Sequence, residues 1–148
     1  MILPKVRDPR LVTIRRGGRL TDTDHRLIAL WAATRAEHVL SLFERAVPDD
    51  PRPRQAIGAA RAWVRGELPM MATRALGGHA MGAARPLAAQ RGSLPTPPSK
   101  PPASPAEREK ARRLECAWQR AQLTPQVRDL VIDDQQRHND ICWSVFDN

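Results

Sequence analysis

The sequence predicts an all-α fold, a helical bundle of about four to five helices with a short extended piece before the first helix. Apolar residues recur at helical spacing in several segments, and proline stands at the ends of most of these segments. Aromatic side chains are few, with four Trp, two Phe and no Tyr, so a core has to rely on Ala, Leu, Val and Ile in close-packed helices. A chain of 148 residues is of the usual size for one domain.

The first elements follow from local signals. Residues 9–20, PRLVTIRRGGRL, alternate two β-branched residues with polar ones and stop at two glycines, which predicts a short extended piece or hairpin arm. Residues 21–48 begin with Thr and Asp, the preferred N-cap types, and carry one apolar face as far as Pro48. This pattern predicts a long first helix.

Two more helices are predicted in the first part of the chain. Asp50-Pro51 has the order of an N-cap residue followed by proline at the first helical position, and one apolar stripe continues to Val64. Residues 69–85, PMMATRALGGHAMGAAR, are apolar or small on nearly all sides and are interrupted by two adjacent glycines. They predict a tightly packed third helix.

A proline-rich stretch interrupts this pattern at residues 92–105, with six prolines among fourteen residues. Such a composition cannot hold a helix or a strand, so it predicts an extended or disordered linker inside a single domain that spans residues 1–148. Ser104 and Glu107 then form a capping-box pattern for a fourth helix, and Thr124 is placed to cap a helix that runs toward the end of the chain.

The tryptophans occur once in each of four predicted helices, which predicts that they share the core of the bundle: Trp31, Trp63, Trp118 and Trp143. Four polar residues fall inside apolar stripes and form a candidate buried polar group: Arg35, His38, Asp134 and His138. A buried charge without a partner is costly, so Arg35 is predicted to pair with Asp134. The alternative is that Arg35 extends along its stem to water.

The charge is strongly asymmetric. The net charge is +8, and residues 1–92 carry all of it, with 16 basic and 8 acidic residues. Arg15, Arg16 and Arg19 form a candidate basic patch that could bind phosphates, so a nucleic-acid-associated protein is the alternative function. The patch lacks interleaved aromatic residues, and arginine outnumbers lysine 21 to 3, as expected from the codon choice of a GC-rich genome. Charge alone therefore does not identify a polyanion partner.

No catalytic motif is present in the sequence, and no catalytic residue, cofactor or metal site is predicted. Asp22, Asp24 and His25 could form half of a metal-dependent nuclease site, but Asp and Thr before a helix are interpreted more readily as its capping residues. A second acidic group is interpreted as a solvated or ion-paired helix face, with a metal-dependent hydrolase as the third hypothesis: Asp133, Asp134, His138 and Asp140.

The cysteine and hydropathy patterns bear on location. Cys116 and Cys142 have neither zinc-site spacing nor a disulfide framework, so they are interpreted as reduced thiols. The N-terminus has no apolar run of signal-peptide length, and no stretch is long and apolar enough to span a membrane. These observations predict a cytoplasmic protein without membrane contact.

Several strings together resemble a bacterial family: VTIRRGG, DHRLIALWAA, HVLSLFERAVPDDPRPRQAI, ARAWVRGE, LECAWQRAQL and RHNDICWSVFDN. They are similar to the immunity protein 5-like family of polymorphic toxin systems, which is common in actinobacteria. The resemblance spans about residues 8–92 and 107–148. Members often carry an automatic exonuclease label, but the ATPase that this label names needs a phosphate-binding loop and long heptad arms that this chain lacks.

The resemblance implies an all-helical cytoplasmic protein that neutralises a cognate toxin by binding it, without catalysis. The partner implied is therefore a toxin protein, of an identity that the sequence does not give. The chain departs from the family in one place. Where members carry an Ala-rich helical stretch with histidines before the ECAWQ segment, this chain has its proline-rich stretch.

Overall fold

The structure, a computed structural model, describes residues 8–83 and 104–137. The described residues form five α-helices and no β-strand, which confirms the all-α prediction. In chain order the helices are α1 (Asp22–Ala46), α2 (Arg52–Val64), α3 (Met70–Ala83), α4 (Pro105–Ala121) and α5 (Pro125–Arg137). The proline-rich stretch lies outside the described residues except for Ser104 and Pro105, which begin α4.

The long helix α1 begins where its cap residues predict. The hydroxyl oxygen of Thr21 accepts a hydrogen bond from the backbone N–H of Asp24 at 3.0 Å, and the hydroxyl donates to the Asp24 carboxylate at 2.8 Å. The helix ends at Ala46, two residues before Pro48. Local capping and a proline stop therefore set both of its ends.

Helix α2 begins one residue later than the Asp-Pro order predicts. Pro51 occupies the N-cap position, and the Asp50 carboxylate accepts a hydrogen bond from the backbone N–H of Arg52 at 3.1 Å. Helix α3 continues through Gly77 and Gly78 and packs against α2. The predicted third helix is thus present in spite of its two adjacent glycines.

The predicted capping box at α4 is present. The Ser104 side chain accepts from the backbone N–H of Glu107 at 3.2 Å, and the Glu107 carboxylate accepts from the backbone N–H of Ser104 at 2.7 Å. At α5 the prediction is wrong in one respect. Thr124 precedes the helix as expected, but its buried hydroxyl makes no hydrogen bond with the described residues. The first helical N–H groups donate instead to the backbone carbonyl of Thr124.

The extended piece predicted before the first helix is much shorter than expected. Two three-residue 3-10 helices, Pro9–Leu11 and Ile14–Arg16, take much of its place, and Val12 and Thr13 between them have extended backbone. The Asp8 side chain accepts a hydrogen bond from the backbone N–H of Arg10, which favours a turn at this point. A single backbone bridge joins Thr13 to Leu20.

The chain divides into two compact units, each with its own small core. In the first unit, of residues 8–31 and 104–137 as far as described, the buried side chains of Trp31, Leu123, Val127 and Val131 pack with Leu27, Ile28 and Ile132. In the second unit, of described residues 32–83, Ala33, Leu40 and Ile57 pack with Ala60. The division falls inside α1, after Trp31.

The tryptophans occupy different environments. Trp31 is 7% exposed and lies in the core of the first unit, where its indole Nε1 donates to the backbone carbonyl of Gln119 at 2.9 Å. Trp63 and Trp118 are half-buried, and Trp143 lies outside the described residues. The size of an indole and its polar N–H make complete burial uncommon. Cys116 is a buried free thiol.

Candidate functional site

The segment of residues 9–20, called the basic turn below, is an exposed basic feature of the first unit. Four backbone hydrogen bonds join its two arms, one of them from the N–H of Gly18 to the carbonyl of Thr13 at 3.1 Å. The N–H of Leu20 donates to the carbonyl of Val12 at 2.9 Å, the N–H of Ile14 to that of Leu20 at 3.2 Å, and the N–H of Arg19 to that of Pro9 at 2.7 Å. These hydrogen bonds close the segment upon itself, outside any α-helix or β-sheet.

Two glycines are required at the end of the basic turn, for different reasons. Gly17 has a φ of 80°, a left-handed conformation that costs other residues free energy. Gly18 lies so close to the opposite arm that a Cβ atom built on it would meet the carbonyl oxygen of Val12 at 2.0 Å. No side chain fits in that space, so the close approach of the two arms depends on glycine at position 18.

The basic turn has a buried side and an exposed side. Leu20 is 5% exposed and anchors the turn to the protein. On the other side Ile14 is 62% exposed, and Arg15, Arg16 and Arg19 are all exposed. The structure thus keeps the three arginines of the predicted basic patch on one short segment and adds an apolar side chain among them.

The charges around this surface are mixed. Arg15 lies 3.6 Å from Asp22 between Nη2 and Oδ2, but both side chains are mostly exposed, at 85% and 68%, and such pairs contribute little to stability. Arg16 and Arg19 form no ion pair with other described residues. Burial lowers the pKa of His25, an effect that nearby Asp22 opposes, and the lowered pKa favours the neutral ring.

Ion pairs among four charged residues connect the start of the basic turn to α5. These residues are called the ion-pair cluster below: Asp8, Arg10, Asp133 and Arg137. Oδ2 of Asp8 lies 2.6 Å from Arg10 Nη2 and 2.8 Å from Arg137 Nη1. Arg137 Nη2 also lies 2.9 Å from Asp133 Oδ2, and Arg10 pairs with the same Asp133 carboxylate. Each acid therefore contacts both arginines.

Electrostatics within the ion-pair cluster favour the charged forms. Hydrogen bonds from the side chain and backbone of Arg10 hold the pKa of Asp8 well below its usual range, and the Asp8 side chain is only 12% exposed. The hydrogen bonds to Asp8 and Asp133 in turn raise the pKa of Arg10. When four side chains share one set of ion pairs, each pair costs less side-chain conformational entropy than an isolated pair does. The ion-pair cluster therefore helps to hold the basic turn in place.

Two candidate metal groups from the sequence have other contacts in the structure. Asp24 takes part in the cap of α1, and Asp133 belongs to the ion-pair cluster. His138 and Asp140 lie outside the described residues. Within residues 8–83 and 104–137, no group of three or more His, Cys, Asp or Glu side chains is placed to hold a metal ion.

The candidate buried polar residues are less buried than their helical angles predict. Arg35 and Asp134 are half-buried, and His38 is exposed. The packed face of α1 is narrower than its apolar stripe, so a residue near the edge of the stripe is exposed to solvent. His138 lies outside the described residues, and the pairing of Arg35 with Asp134 stays a prediction.

The sequence did not predict the ion-pair cluster, although one part of it carries a local signal. Asp133 and Arg137 are four residues apart on one helix, a spacing that brings opposite charges together. Asp8 and Arg10 precede the first helix and are more than a hundred residues away along the chain, so no local pattern links them to α5. None of the described helices combines the length and apolar character needed to cross a membrane.

Comparison of the sequence with known protein families identifies a family of which this chain is a member. The model of the family described as "Imm-5 like putative immunity protein" matches residues 18–92, which are 75 of the 148 residues. The chain therefore belongs to this family of immunity proteins. The match includes α1, α2 and α3 and begins at Gly18, within the basic turn. No curated protein and no solved structure matches the chain.

Proposed function

We propose that this chain neutralises a cognate bacterial toxin by binding it directly in the cytoplasm, without catalysis. The observation that carries the proposal is the match of the immunity-protein family to more than half of the chain. The resemblance of the segments after residue 107 to the same family adds to this support.

The described surface suits a binding protein. Several large apolar side chains are exposed on the described helices and on the basic turn, and they could be buried by a partner: Ile14, Leu30, Val39, Leu42, Met71, Met81 and Leu114. Arginines with exposed guanidinium groups accompany them, and arginine is enriched at protein interfaces. Exposed apolar side chains and arginines together can supply affinity and orientation without any reacting group.

The proposal is tested by expressing the toxin domain encoded beside this chain from an inducible promoter, with and without the chain. We expect cells to survive induction only when the folded chain is present. The control is Val127→Asp, which places a charge at a position 1% exposed in the core and should abolish protection through misfolding. Death of cells that contain ample folded wild-type chain would contradict the proposal.

A further inference from the structure

We propose that the exposed side of the basic turn is a toxin-docking surface, and that it takes an acidic patch on the toxin protein. The inference rests on the proposed function and adds to it the place of contact and the chemistry of the partner. Three observations carry it: the exposed arginines, the exposed apolar side chain of Ile14 on the same short segment, and the fixed backbone that presents them.

The composition of the surface matches a protein partner. Arg15, Arg16 and Arg19 are complementary to carboxylates, which their planar guanidinium groups can bind with two hydrogen bonds. Ile14 is 62% exposed among them, and an isolated apolar side chain of this size gains free energy when a partner covers it. Arginine is enriched among the residues that dominate the binding energy of protein interfaces.

The same surface is poorly suited to a phosphate backbone. Asp22 lies 3.6 Å from Arg15, and Asp24 is in the same first turn of α1, so negative charge stands next to the arginines. A nucleic-acid backbone has uniform negative charge and would meet these carboxylates, whereas an acidic patch on a protein can pair with the arginines and place neutral or basic side chains beside the carboxylates. The basic turn also has no aromatic side chain on which a base could stack.

The backbone of the basic turn is held before any partner arrives. The hydrogen bonds between its arms, the glycine-dependent contact at Gly18 and the ion-pair cluster next to its first residues all restrict it, yet Leu20 is the only buried residue of the basic turn. A segment that is ordered in the free protein loses little conformational entropy on binding. This preorganisation suits a recognition surface.

The test measures binding of the purified full-length chain to the toxin domain encoded beside it, by calorimetry at low and moderate salt. The double variant Arg15→Glu/Arg16→Glu removes the complementarity. Its control, Arg74→Glu/Lys110→Glu, changes the net charge by the same amount at exposed residues of α3 and α4. We expect the turn variant to bind about a hundredfold more weakly and the control to change affinity less than about threefold.

A second variant, Ile14→Ala, separates the apolar anchor from the charges, with Met71→Ala as a control for loss of an exposed apolar side chain. We expect Ile14→Ala to weaken binding about tenfold with unchanged salt dependence. Each variant is first shown to fold by circular dichroism, with a melting temperature within about 2 °C of the wild type. The substituted side chains are exposed, so this condition should be met.

The outcomes distinguish this inference from the proposed function. If the wild type binds the toxin domain and the turn variants bind equally well, or no worse than their controls, the docking surface is wrong and the proposed function stands. If the wild type does not bind the toxin domain, both are wrong. A fluorescent 20-base-pair DNA duplex is tested in parallel. The inference would also be overturned, in favour of nucleic acid, if the wild type bound this duplex more tightly than it binds the toxin domain. That binding would have to be lost in Arg15→Glu/Arg16→Glu and to fall steeply with salt.

Discussion

At the scale of single residues, the glycines show why the same residue type has opposite roles in one chain. Gly18 has the Val12 carbonyl oxygen in the position where a Cβ would lie, whereas Gly58 is an exposed residue inside α2 with no atom within 4 Å of that position. The first glycine permits a close contact between two arms of the basic turn. The second only adds conformational freedom to the unfolded chain.

We therefore expect Gly18→Ala and Gly58→Ala to change stability in opposite directions. Gly18→Ala should lower the free energy of unfolding by about 1–3 kcal/mol, because the backbone has to move to admit the methyl group. Gly58→Ala should raise it by about 0.5–1 kcal/mol. Urea unfolding followed by circular dichroism measures both. A neutral Gly18→Ala would mean that the two arms are not held in the contact described above.

Trp31 joins two elements through a hydrogen bond as well as through packing. Its indole donates to the backbone carbonyl of Gln119, in the last turn of α4, where carbonyl groups lack a helical partner. Trp31→Phe keeps most of the apolar contact and removes the donor, so we expect a loss of about 1–3 kcal/mol in the free energy of unfolding. The control Leu42→Ala, at a side chain 59% exposed, should change it by less than about 0.5 kcal/mol. Equal effects of the two variants would argue against the hydrogen bond.

At the scale of elements, the sequence predicts what neighbouring residues determine. The cap at Thr21, the capping box at Ser104 and the stop before Pro48 all depend on side chains within a few residues of the helix end, and all are found. The fold of residues 9–20 was predicted only in part, because alternation of apolar and polar residues also fits a turn whose shape depends on Asp8 and on contact with α5. Contacts so distant in the chain leave no periodic signal.

The cap of α4 provides a test at this scale. Ser104→Ala removes the acceptor for the backbone N–H of Glu107, and we expect the free energy of unfolding to fall by about 1 kcal/mol. The matched variant is Thr124→Val at the start of α5, which removes a buried hydroxyl that makes no hydrogen bond with the described residues. It should be neutral or stabilising. Destabilisation by Thr124→Val as large as that by Ser104→Ala would show that the Thr124 hydroxyl has a partner in the folded chain.

At the scale of the whole molecule, the sign of the charge in each part of the chain was predictable from the sequence. Which charged residues pair with one another was not. The excess of basic residues before residue 92 is visible in the sequence, and the structure exposes part of it on the basic turn. The fold determines which arginines form ion pairs with acidic residues. Arg61 with Glu37 and Arg54 with Glu44 join α2 to α1, for example. Only the remaining arginines are available for a partner, and sequence alone does not separate the two groups.

These pairs make stability depend on pH in a defined direction. Six described carboxylates have a pKa lowered by hydrogen bonds, from arginine side chains in five cases and from Ser104 in the case of Glu107: Asp8, Glu37, Asp50, Glu67, Glu107 and Glu109. Hydrogen bonds from Arg112 and then Arg113 lower the pKa of Glu109 from 4.5 to about 2. A carboxylate whose pKa is lower in the folded state stabilises the fold above its unfolded pKa and loses that effect as the pH falls.

We therefore expect the melting temperature to be constant above about pH 5 and to fall steadily from about pH 4.5 to pH 2. Thermal melts followed by circular dichroism at a series of pH values measure this. In the variant Glu109→Gln the melting temperature should be lower at pH 7 and should fall less between pH 4.5 and pH 2, since one titrating carboxylate is gone. A melting temperature that stays constant down to pH 2.5 would contradict the role given to these pairs.

The most direct measurement of the central claim is a titration of the toxin domain's activity with the purified chain. Neutralisation by binding predicts that activity falls in proportion to the chain added and reaches its minimum at a fixed, near-equimolar ratio, with the toxin domain unchanged in mass. Loss of activity at a small fraction of that ratio would indicate turnover by this chain. Undiminished activity in the presence of a large excess of folded chain would show that it is not the immunity protein of that toxin.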